Sequence, residues 1–554
     1  MSNLAKGEGA AEVKSVVSGP VIAIGLTASM GGFIFGADTG QISGFLVMKD
    51  YLRRFAELKH DGSHAFSDVR AGVLVGIFSI GALFGSFGSG PISNHLGRKL
   101  GIIIGVLIYF AGTAVQISAI DKWYQIVIGR LMAGSSIGIM SVLVPVYISE
   151  SVPKEIRGGM VALFQLFITL GILVSYIINF GTSHISNSAS WRVPLGLNYI
   201  WASILGGGMA LLPESPRWLL GRGRREDTLK SLRFIAGKKH AKDGFKLIDT
   251  QYQEIAAMVE IDRNLPKTSW FSSFSSRGKI AYRTILGFAL QMLAQLTGAN
   301  YFFYYGASNF RSVGISNSFV TQIILGAVNF IFTLPGMYAI ERFGRRKPLL
   351  VGGIWQVIWL LVFGSVGTLY NPMTNKAVGA VLIVATCMFI VGFASTWGPG
   401  VWVATGEMFP LRVRAHSASF ATAGNWGWNF LLTLFTPFIT SSIGYKLGYV
   451  FAGTNLLGVL VVFFFYYESS SLSLEQVDIM YNDPHAKPWT SGDWVPPGHS
   501  SRHDAAKAKS HREIPTEETF ENYTLGDEMG NVNHGNTSPS GVIHNDTRTT
   551  DYRP

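Results

Sequence analysis

The chain has 554 residues, of which 48% are hydrophobic and only 14% are charged, and its mean hydropathy is +0.29. Because soluble proteins are about one quarter charged, this composition argues against an ordinary chain of soluble domains. The formal net charge of +11 would suit a nucleic-acid-binding protein, but the basic residues are distributed along the chain in the pattern of a membrane protein.

Twelve apolar runs follow one another along the chain, each roughly 20 residues long, the length that a helix needs to cross a bilayer. They lie at about 21–47, 70–93, 101–119, 124–149, 159–180, 193–212, 284–308, 318–340, 348–368, 378–406, 417–440 and 447–467. Twelve runs in series are typical of a polytopic membrane protein and not of the buried helices of a soluble enzyme. We therefore predict an all-α integral membrane protein with twelve transmembrane helices in two six-helix halves.

The predicted helices divide the chain into five parts. These are an N-terminal segment (1–19), the first six-helix half (20–212), a linker (213–283), the second half (284–467) and a tail (468–554). The charged linker has helical polar periodicity, which predicts short amphipathic cytoplasmic helices. The polar tail cannot bury enough apolar surface to offset its ordering entropy, so we predict that it is disordered. Its sequons at Asn522, Asn536 and Asn545 should stay unglycosylated on the cytoplasmic side.

Lys and Arg are concentrated in alternate loops, which is the positive-inside pattern and predicts that both termini are cytoplasmic. The basic loops contain Arg98 and Lys99, Lys154 and Arg157, the linker, residues 342–347, and Arg412 and Arg414. The 49–70 loop is an exception, since its five basic residues are only partly offset by four acidic ones. The first apolar run is too long for a cleavable signal peptide. The single cysteine, Cys387, predicts neither a disulfide framework nor a metal cluster.

Glycine is abundant, with 64 residues. The spacings Gly81-x-x-x-Gly85 and Gly134-x-x-x-Gly138 predict helices that pack closely. Gly398-Pro399-Gly400 in the tenth run predicts a break that could serve as a hinge.

Asp38 is the most costly residue of the first run, because a carboxylate at membrane depth costs at least ~2.5–3.5 kcal/mol on insertion scales. It should face the bundle interior or a water-filled cavity, and Arg130 of the fourth run is its expected partner. Burial would raise the pKa of such a carboxyl, whereas a nearby guanidinium would lower it. Two interpretations stay open: a carboxylate balanced in this way for proton coupling, or a fixed structural ion pair.

Two charge-bearing signatures occur once in each half and in the same order. Asn94-His-Leu-Gly-Arg98-Lys99 is repeated as Glu341-Arg-Phe-Gly-Arg345-Arg-Lys, and Glu150-x-x-Pro-x-x-x-Arg157 is repeated as Glu407-x-x-Pro-x-x-x-Arg414. Two parallel halves indicate an alternating-access carrier with its substrate site near the midplane between them. We expect ion pairs of these signatures to fasten the inner helix ends across the two halves, as a weak latch. Positive charge that only anchors the topology is the alternative, and both roles can hold together.

Neutral amides form a second polar set inside the apolar runs: Gln165, Gln295, Asn300, Asn329, Asn425 and Asn429. An amide offers donors and acceptors without charge, which suits an uncharged polyhydroxy ligand better than an ion. Hydrogen bonding from helix to helix is the alternative for any one of them. Aromatic side chains are available to face an apolar sugar ring, namely Phe35, Phe303, Phe393 and Trp402.

Over residues 20–480 the chain resembles the sugar porters of the major facilitator superfamily, close to the fungal hexose transporters. The resemblance rests on Gly36-Ala-Asp38-Thr-Gly40, Gly129-Arg130, Pro145-x-Tyr-x-x-Glu150-x-x-Pro-x-x-x-Arg157-Gly, Gln165-Leu-Phe-Ile-Thr-Leu-Gly171, Pro213-Glu214-Ser-Pro-Arg217-Trp-Leu, Gln295-Leu-Thr-Gly-Ala-Asn300-Tyr-Phe-Phe-Tyr-Tyr305-Gly, Glu407-x-x-Pro-x-x-x-Arg414 and Gly424-Asn425-Trp426. It implies uptake of a monosaccharide at the plasma membrane through a central cavity.

The resemblance also implies roles for individual residues. Sugar contacts would be Gln165, Gln295, Asn300, Asn329, Trp402 and Asn425, with Phe35 nearby, and proton coupling would lie at Asp38 with Arg130. The inner latch would consist of Arg98, Glu150, Arg157, Glu214, Arg217, Arg345, Glu407 and Arg414.

Three positions depart from the family pattern. Ala294 stands where the first of two paired glutamines is usual, Asn94 replaces a common Asp, and Tyr467-Glu468-Ser replaces the familiar Pro-Glu-Thr. Losing a hydrogen-bonding amide at Ala294 would weaken or redirect sugar recognition by ~1–3 kcal/mol if the partner hydroxyl stays buried and unpaired.

We therefore expect a plasma-membrane hexose transporter that works by alternating access as a sugar:proton symporter. A facilitative hexose uniporter is one alternative. A sugar sensor that signals through the tail is another, motivated by Ala294. The sequence contains no nucleotide-binding loop, nucleophile elbow or metal cluster, so we expect no enzymatic activity, no cofactor and no nucleic-acid partner. The expected partners are a small sugar, a proton and the lipid bilayer.

Overall fold

The computed structural model describes residues 18–60, 62–153, 156–240, 245–264, 270–312, 318–370, 376–410, 413–470, 472, 474–497 and 501–502. The first half contains α1 (Gly19–Phe45), α2 (Lys49–Phe55), α3 (Asp68–Leu96), α4 (Arg98–Ile117), α5 (Trp123–Ser151), α6 (Arg157–Thr182) and α7 (Ala189–Leu211). Between α2 and α3, strands β1 (Glu57–Leu58) and β2 (His64–Ala65) form a small antiparallel sheet with Glu57 opposite Ala65.

Short helices occupy the linker, and a second set of long helices follows it. The linker helices are α8 (Pro216–Gly221), α9 (Arg225–His240) and α10 (Phe245–Asn264). The second half contains α11 (Ile280–Leu296), α12 (Ala299–Ser312), α13 (Ser318–Phe343), α14 (Arg346–Leu369), α15 (Lys376–Gly392), α16 (Gly398–Met408), α17 (Arg414–Ile443) and α18 (Leu447–Phe465), and α19 (Leu474–Asn482) comes after it.

The helices coincide with the apolar runs, which confirms the predicted all-α membrane fold. Among the described residues, nine segments are long and apolar enough to cross a bilayer, and one of them, His416–Phe465, contains both α17 and α18. The shorter apolar helix α11 and the helix α7 account for the remaining runs. Helices are the expected solution because each helix satisfies its own backbone hydrogen bonds where no water is available.

Two of the twelve runs are interrupted. The seventh is divided between α11 and α12 at Gly298, whose φ of +89° lies in the left-handed region. A Cβ at Gly298 would lie 2.6 Å from the Phe451 ring, so both conformation and space require glycine. The tenth run widens to a π-helical segment at Phe393–Trp397, immediately before α16. The predicted break at Gly398–Gly400 is thus displaced towards the N-terminus by one turn.

Glycines bring α3 and α5 into backbone contact, as their spacing predicts. A Cβ at Gly85 of α3 would lie 2.0 Å from the Ser135 carbonyl oxygen, and a Cβ at Gly138 of α5 would lie 2.1 Å from that of Ala82. Any larger residue at these positions would push the two helices apart.

We call the end of the bundle that carries α8–α10 the linker end and the opposite end the far end. Three of the hydrogen bonds that the structure describes join the two halves and lie in the far half of the bundle. The Ser79 hydroxyl donates to Asn429 Oδ1 at 2.5 Å, and Tyr176 Oη donates to the Phe303 carbonyl at 2.9 Å. At the far end itself, the Ser441 hydroxyl donates to Asp68 at 2.7 Å.

Part of the tail is folded, contrary to the prediction of disorder from residue 468 onwards. Helix α19 places Val477, Met480 and Tyr481 in a buried cluster with Tyr467. The fully buried Arg283 of α11 binds Asp478 Oδ1 at 2.7 Å, which attaches α19 to the second half. The polar average composition of the tail does not reveal this short helix. Its apolar residues are few, but they recur at helical spacing and so lie on one face. Residues 503–554, with the three sequons, lie outside the described residues.

Asp50 attaches α2 to α7 at the far end. Its buried carboxylate accepts hydrogen bonds from Arg54 Nε at 2.7 Å, Arg53 Nη2 at 2.9 Å and Trp191 Nε1 at 3.1 Å. Burial alone would raise the pKa of Asp50, but the hydrogen bonds from Arg54, Trp191 and Arg53 outweigh it, so the pKa lies below its usual value.

We predict that Asp50→Asn lowers the stability of the purified protein by roughly 1.5–3 kcal/mol at neutral pH, because charge-assisted hydrogen bonds are lost. A carboxyl with a lowered folded pKa stabilises the fold above its unfolded pKa, about 3.9, and this contribution is lost as the pH falls through the folded value. In melting scans across pH, the gap between wild type and variant should therefore close below about pH 4. A gap that stays constant down to pH 3 would contradict this account.

Candidate functional site

The structure brings Asp38 of α1 and Arg130 of α5 together inside the first half. Arg130 Nη1 lies 3.5 Å from Asp38 Oδ2, and each side chain is only 2% exposed. The guanidinium also lies over the Phe78 ring, with its central carbon 5.3 Å from the ring centroid. Two further nitrogens, Arg130 Nε and Nη2, are buried and have no hydrogen-bond partner among the described residues. One long contact compensates only part of the cost of burying the two charges, so the stability of the pair depends strongly on local geometry.

Amides fix the part of α1 that follows Asp38. Gln41 and Asn198 of α7 exchange hydrogen bonds at 2.9 and 3.0 Å, and Gln41 also donates to the Pro194 carbonyl. Asn179 of α6 donates to the carbonyls of Gly40 and Gln41. These bonds hold Asp38 at a defined depth between three helices.

A chain of hydrogen bonds runs from the first half into the second. Ser79 of α3 binds Asn429 of α17, Asn429 donates to Gln295 Oε1 of α11 at 2.9 Å, and Asn300 of α12 donates to the same oxygen at 2.6 Å. The Gln295 Nε2 group donates to no described residue, so two N–H donors stay available for another molecule. We call Ser79, Asn429, Gln295 and Asn300 the amide chain.

A second group of polar contacts lies one helical turn away on α11. Asn425 of α17 donates to Gln291 Oε1 at 2.8 Å, and Gln291 Nε2 donates to the Thr405 hydroxyl of α16 at 3.1 Å. Sequence reasoning named Asn425 but missed Gln291 and Thr405. Because Gln291 precedes Gln295 by four residues, helical spacing already placed the two amides on one face. No sequence signal distinguishes Thr405 from other threonines in apolar runs.

The other predicted sugar contacts lie outside the two hydrogen-bonded groups around Gln295 and Gln291. Gln165 of α6 is half-buried and Asn329 of α13 is buried, and neither side-chain amide has a hydrogen-bond partner among the described residues. Trp402 of α16 is 42% exposed. Phe35 of α1 is half-buried, and its ring centroid lies 5.5 Å from that of Trp426 across the two halves. The structure therefore joins Gln295, Asn300 and Asn425 to hydrogen-bonded groups, but leaves Gln165 and Asn329 outside them.

At the linker end of the first half, Glu150 and Glu214 bind the start of α4. Arg98 contacts Glu150 at 2.9 Å, and the Ser215 hydroxyl donates to the same carboxylate at 2.5 Å. Glu214 accepts the backbone N–H groups of Arg98 and Lys99 at 3.1 Å. Burial raises the pKa of Glu214, and the hydrogen bonds from the backbone of Ser215, Lys99 and Arg98 oppose this effect.

The second half repeats this arrangement with different residues. Arg345 binds Glu407 through two hydrogen bonds of 2.7 and 3.0 Å, and the Ser469 hydroxyl donates to Glu407 at 2.7 Å. Glu468 accepts the backbone N–H groups of Arg345 and Arg346 at 3.0 and 2.9 Å, at the N-terminus of α14. Glu468-Ser469 is thus the counterpart of Glu214-Ser215. Sequence reasoning treated Glu468 only as a departure from the family pattern, although each Glu-Ser pair follows the last helix of its half.

The expectation that these pairs fasten one half to the other is wrong for the pairs that the structure describes. Arg98 with Glu150 and Arg345 with Glu407 each lie within one half. Arg414 donates to the Phe409 carbonyl, also within one half. Arg217 lies on α8, and the side chain of Arg157 lies outside the described residues. The cause is geometric: Arg98 and Arg345 stand at the starts of α4 and α14, and their own half supplies the partners there. Glu214 and Glu468 bind the free backbone N–H groups of these helix starts, where the helix dipole attracts negative charge.

Comparison with known proteins places the chain among transporters. The "Sugar (and other) transporter" family model matches residues 24–481. The hexose transporter HXT10 of Saccharomyces cerevisiae is 44% identical over 482 residues, which cover 86% of this chain and 88% of that protein. The high-affinity hexose transporter HXT6 of the same yeast is 42% identical over 498 residues, or 88% of this chain and 86% of that protein.

Solved structures agree on the fold. The proton:xylose symporter XylE, bound to 6-bromo-6-deoxy-D-glucose, superposes with a TM-score of 0.70 at 24% identity and covers 83% of this chain and 99% of that chain. The inward-open XylE structure from E. coli gives a TM-score of 0.68 at 23% identity, with the same coverage of the two chains. The chain therefore belongs to the sugar transporter family and has the fold of the major facilitator superfamily.

Proposed function

We propose that this protein carries a hexose across the plasma membrane by alternating access and that it couples this movement to a proton. The observation that carries the sugar assignment is the amide chain, which crosses between the halves and keeps the Gln295 N–H donors unused. A sugar presents hydroxyl groups that accept and donate hydrogen bonds without bringing a charge into the membrane. The yeast relatives, named as hexose and glucose transporters, support a hexose over other sugars.

Alternating access is supported by the difference between the two ends of the bundle. The described hydrogen bonds between the halves lie in the far half, whereas the charge clusters of the linker end stay within each half. Positive-inside charge makes the linker end cytoplasmic. Among the described residues, a small number of hydrogen bonds joins the halves on the outer side, which suits two states that differ by only a few kcal/mol, as a carrier requires.

Proton coupling is supported by the environment of Asp38. Protonation would leave Arg130 without a counter-charge in a buried site, where a single 3.5 Å contact now holds it. The gain or loss of one proton would therefore shift the position of the Arg130 side chain between α1 and α5. Such a shift is the kind of differential contact that lets a proton favour one state of the carrier.

A facilitative uniporter is the second candidate. It is favoured by the names of the yeast relatives, which specify a sugar but no co-transported ion, whereas the named symporter XylE is similar in fold alone. A sugar sensor remains the third alternative because of Ala294.

Uptake by a yeast strain without its own hexose transporters tests the proposal. We predict that the protein accumulates a labelled, non-metabolised glucose analogue above equilibrium and that a protonophore abolishes this accumulation. A potential of 100 mV is worth about 2.3 kcal/mol per charge, which allows roughly fiftyfold accumulation. Asp38→Asn should reduce accumulation to equilibrium, because the exchangeable proton is removed.

Asp121→Asn is the matched control, since Asp121 is an exposed acid in the loop between α4 and α5, and it should behave like wild type. Uptake that only equilibrates and ignores both the protonophore and the external pH would establish the uniporter. Absence of uptake, combined with glucose-dependent induction of other transporters, would favour the sensor.

Gln291 tests whether the second polar group belongs to the sugar site. We predict that Gln291→Leu raises KM about 5- to 150-fold, because a lost hydrogen bond in a buried site costs roughly 1–3 kcal/mol. Gln356→Leu is the control: Gln356 is equally buried on α14 but donates only to the Gly352 carbonyl. An unchanged KM in Gln291→Leu, with normal surface expression, would exclude Gln291 from the site.

Ala294 tests the effect of the missing glutamine. We predict that Ala294→Gln lowers KM for glucose by at least about fivefold, because one new hydrogen bond contributes about 1 kcal/mol. Ala294→Leu adds similar volume without an amide and should not lower KM. An equal response to Gln and Leu would mean that position 294 acts by volume and not by hydrogen bonding.

A further inference from the structure

A cavity of about 470 Å³ lies at the linker end of the first half, away from the sugar site. Its walls come from the ends of α3 and α7, the start of α4, and the linker helices α8 and α9. None of the family-derived roles for the latch or the sugar site explains an open cavity at this position.

Large apolar side chains on this wall are exposed. Leu211 at the end of α7 is 84% exposed, Leu100 of α4 is about half exposed, and Phe234 of α9 is 42% exposed. Since α4 is long and apolar enough to cross a membrane and α7 packs against it, we expect this wall to face the lipid of the adjacent leaflet. Apolar side chains at this depth gain by contact with acyl chains.

The same face of α7 continues into a second cavity. That cavity, about 420 Å³, is lined by Tyr199, Ile200, Ser203 and Ile204. Ile200, Ile204 and Leu211 lie on one side of the helix, and Ile204 is roughly 10 Å from Leu211 along its axis. Between them, a Cβ added at Gly207 would meet no atom within 4 Å. An open face of α7 therefore leads from the first cavity at the linker end to the second cavity at the middle of the helix, and we call this face the groove.

Cations surround the linker end of the groove. Lys99 Nζ donates to the carbonyls of Ala210 and Leu212, both at 2.8 Å, which uses two of its three N–H groups among the described residues. Arg224 and Lys230 are largely exposed and share the carboxylate of Asp227 at 2.8 and 3.4 Å. The second carboxylate of the cavity, Glu214, is bound by the backbone N–H groups at the start of α4. Three cations thus face two carboxylates, one of which is already bound by the backbone.

We propose that this cavity binds the headgroup of an anionic glycerophospholipid, with an acyl chain of the same lipid along the groove of α7. Basic pockets at the cytoplasmic ends of transmembrane helices attract such headgroups. The apolar groove favours a lipid over a soluble phosphate, because a free anion would leave its wall uncovered. A bound lipid would connect α4, α7 and α9, and so attach the linker to the first half.

Native mass spectrometry of the full-length purified protein tests the proposal, with phosphatidylserine and phosphatidylcholine as probes. Wild type should retain phosphatidylserine in preference to phosphatidylcholine. Lys230→Gln should weaken phosphatidylserine binding about fivefold, the effect of one basic residue near an anionic headgroup. Lys347→Gln removes an exposed lysine from the linker end of the second half, and this control should bind like wild type.

Gly207→Leu tests the acyl groove separately from the headgroup. It should reduce retention of phosphatidylserine, whereas Gly453→Leu, at an exposed helical glycine of α18 with equally open space, should not. Unchanged melting temperatures will show that the variants are folded. Equal retention of both lipids by wild type, full retention by Lys230→Gln, or displacement by soluble glycerophosphoserine as readily as by the lipid would each overturn the proposal.

Discussion

The hydrogen bonds of the amide chain join the two halves of the bundle through buried polar groups. Each amide inside a membrane bundle needs hydrogen-bond partners from the protein or a ligand, because water is not available there as a partner. Asn429 meets this need by binding Ser79 in one half and Gln295 in the other. The same groups thus connect the halves and leave donors for a ligand. A sugar that bound there, as we propose, would change contacts which also hold the two halves together, so binding and movement would be linked through shared hydrogen bonds.

The charge clusters at the linker end have a different role from these amides. In each half an arginine binds a glutamate, a serine hydroxyl binds the same glutamate, and a second glutamate covers the N-terminus of a helix. Bonds that stay within one half make that half stiff. Two stiff halves joined mainly by packing, with few of the described hydrogen bonds between them, can rock as units, whereas strong bonds across the linker end would oppose its opening.

The buried pair of Asp38 and Arg130 is joined by one contact of 3.5 Å and leaves two arginine nitrogens without a described partner, and it lies between helices and not at a helix end. Structural ion pairs in this molecule, such as Asp50 with its two arginines, are short and have several partners. This contrast between the two carboxylates is consistent with a structural role for Asp50 and with the proton coupling that we propose for Asp38.

Apolar runs, repeated signatures and isolated polar residues in the sequence already determined much of this protein: its membrane fold, its division into halves, and some polar residues of its interior, such as Asp38, Arg130 and Asn425. These properties follow from local physics. The length of an apolar run shows that a helix can cross the bilayer, and the high free-energy cost of a charged side chain in the membrane shows that such a residue needs a partner or a function. Tertiary structure alone decided which groups meet. It joined Gln291 to Asn425, turned Glu468 towards α14, kept the charge pairs within each half, and folded residues 474–497 against Arg283. Contacts of this kind depend on the relative rotation and depth of separate helices, which no local pattern of residues specifies.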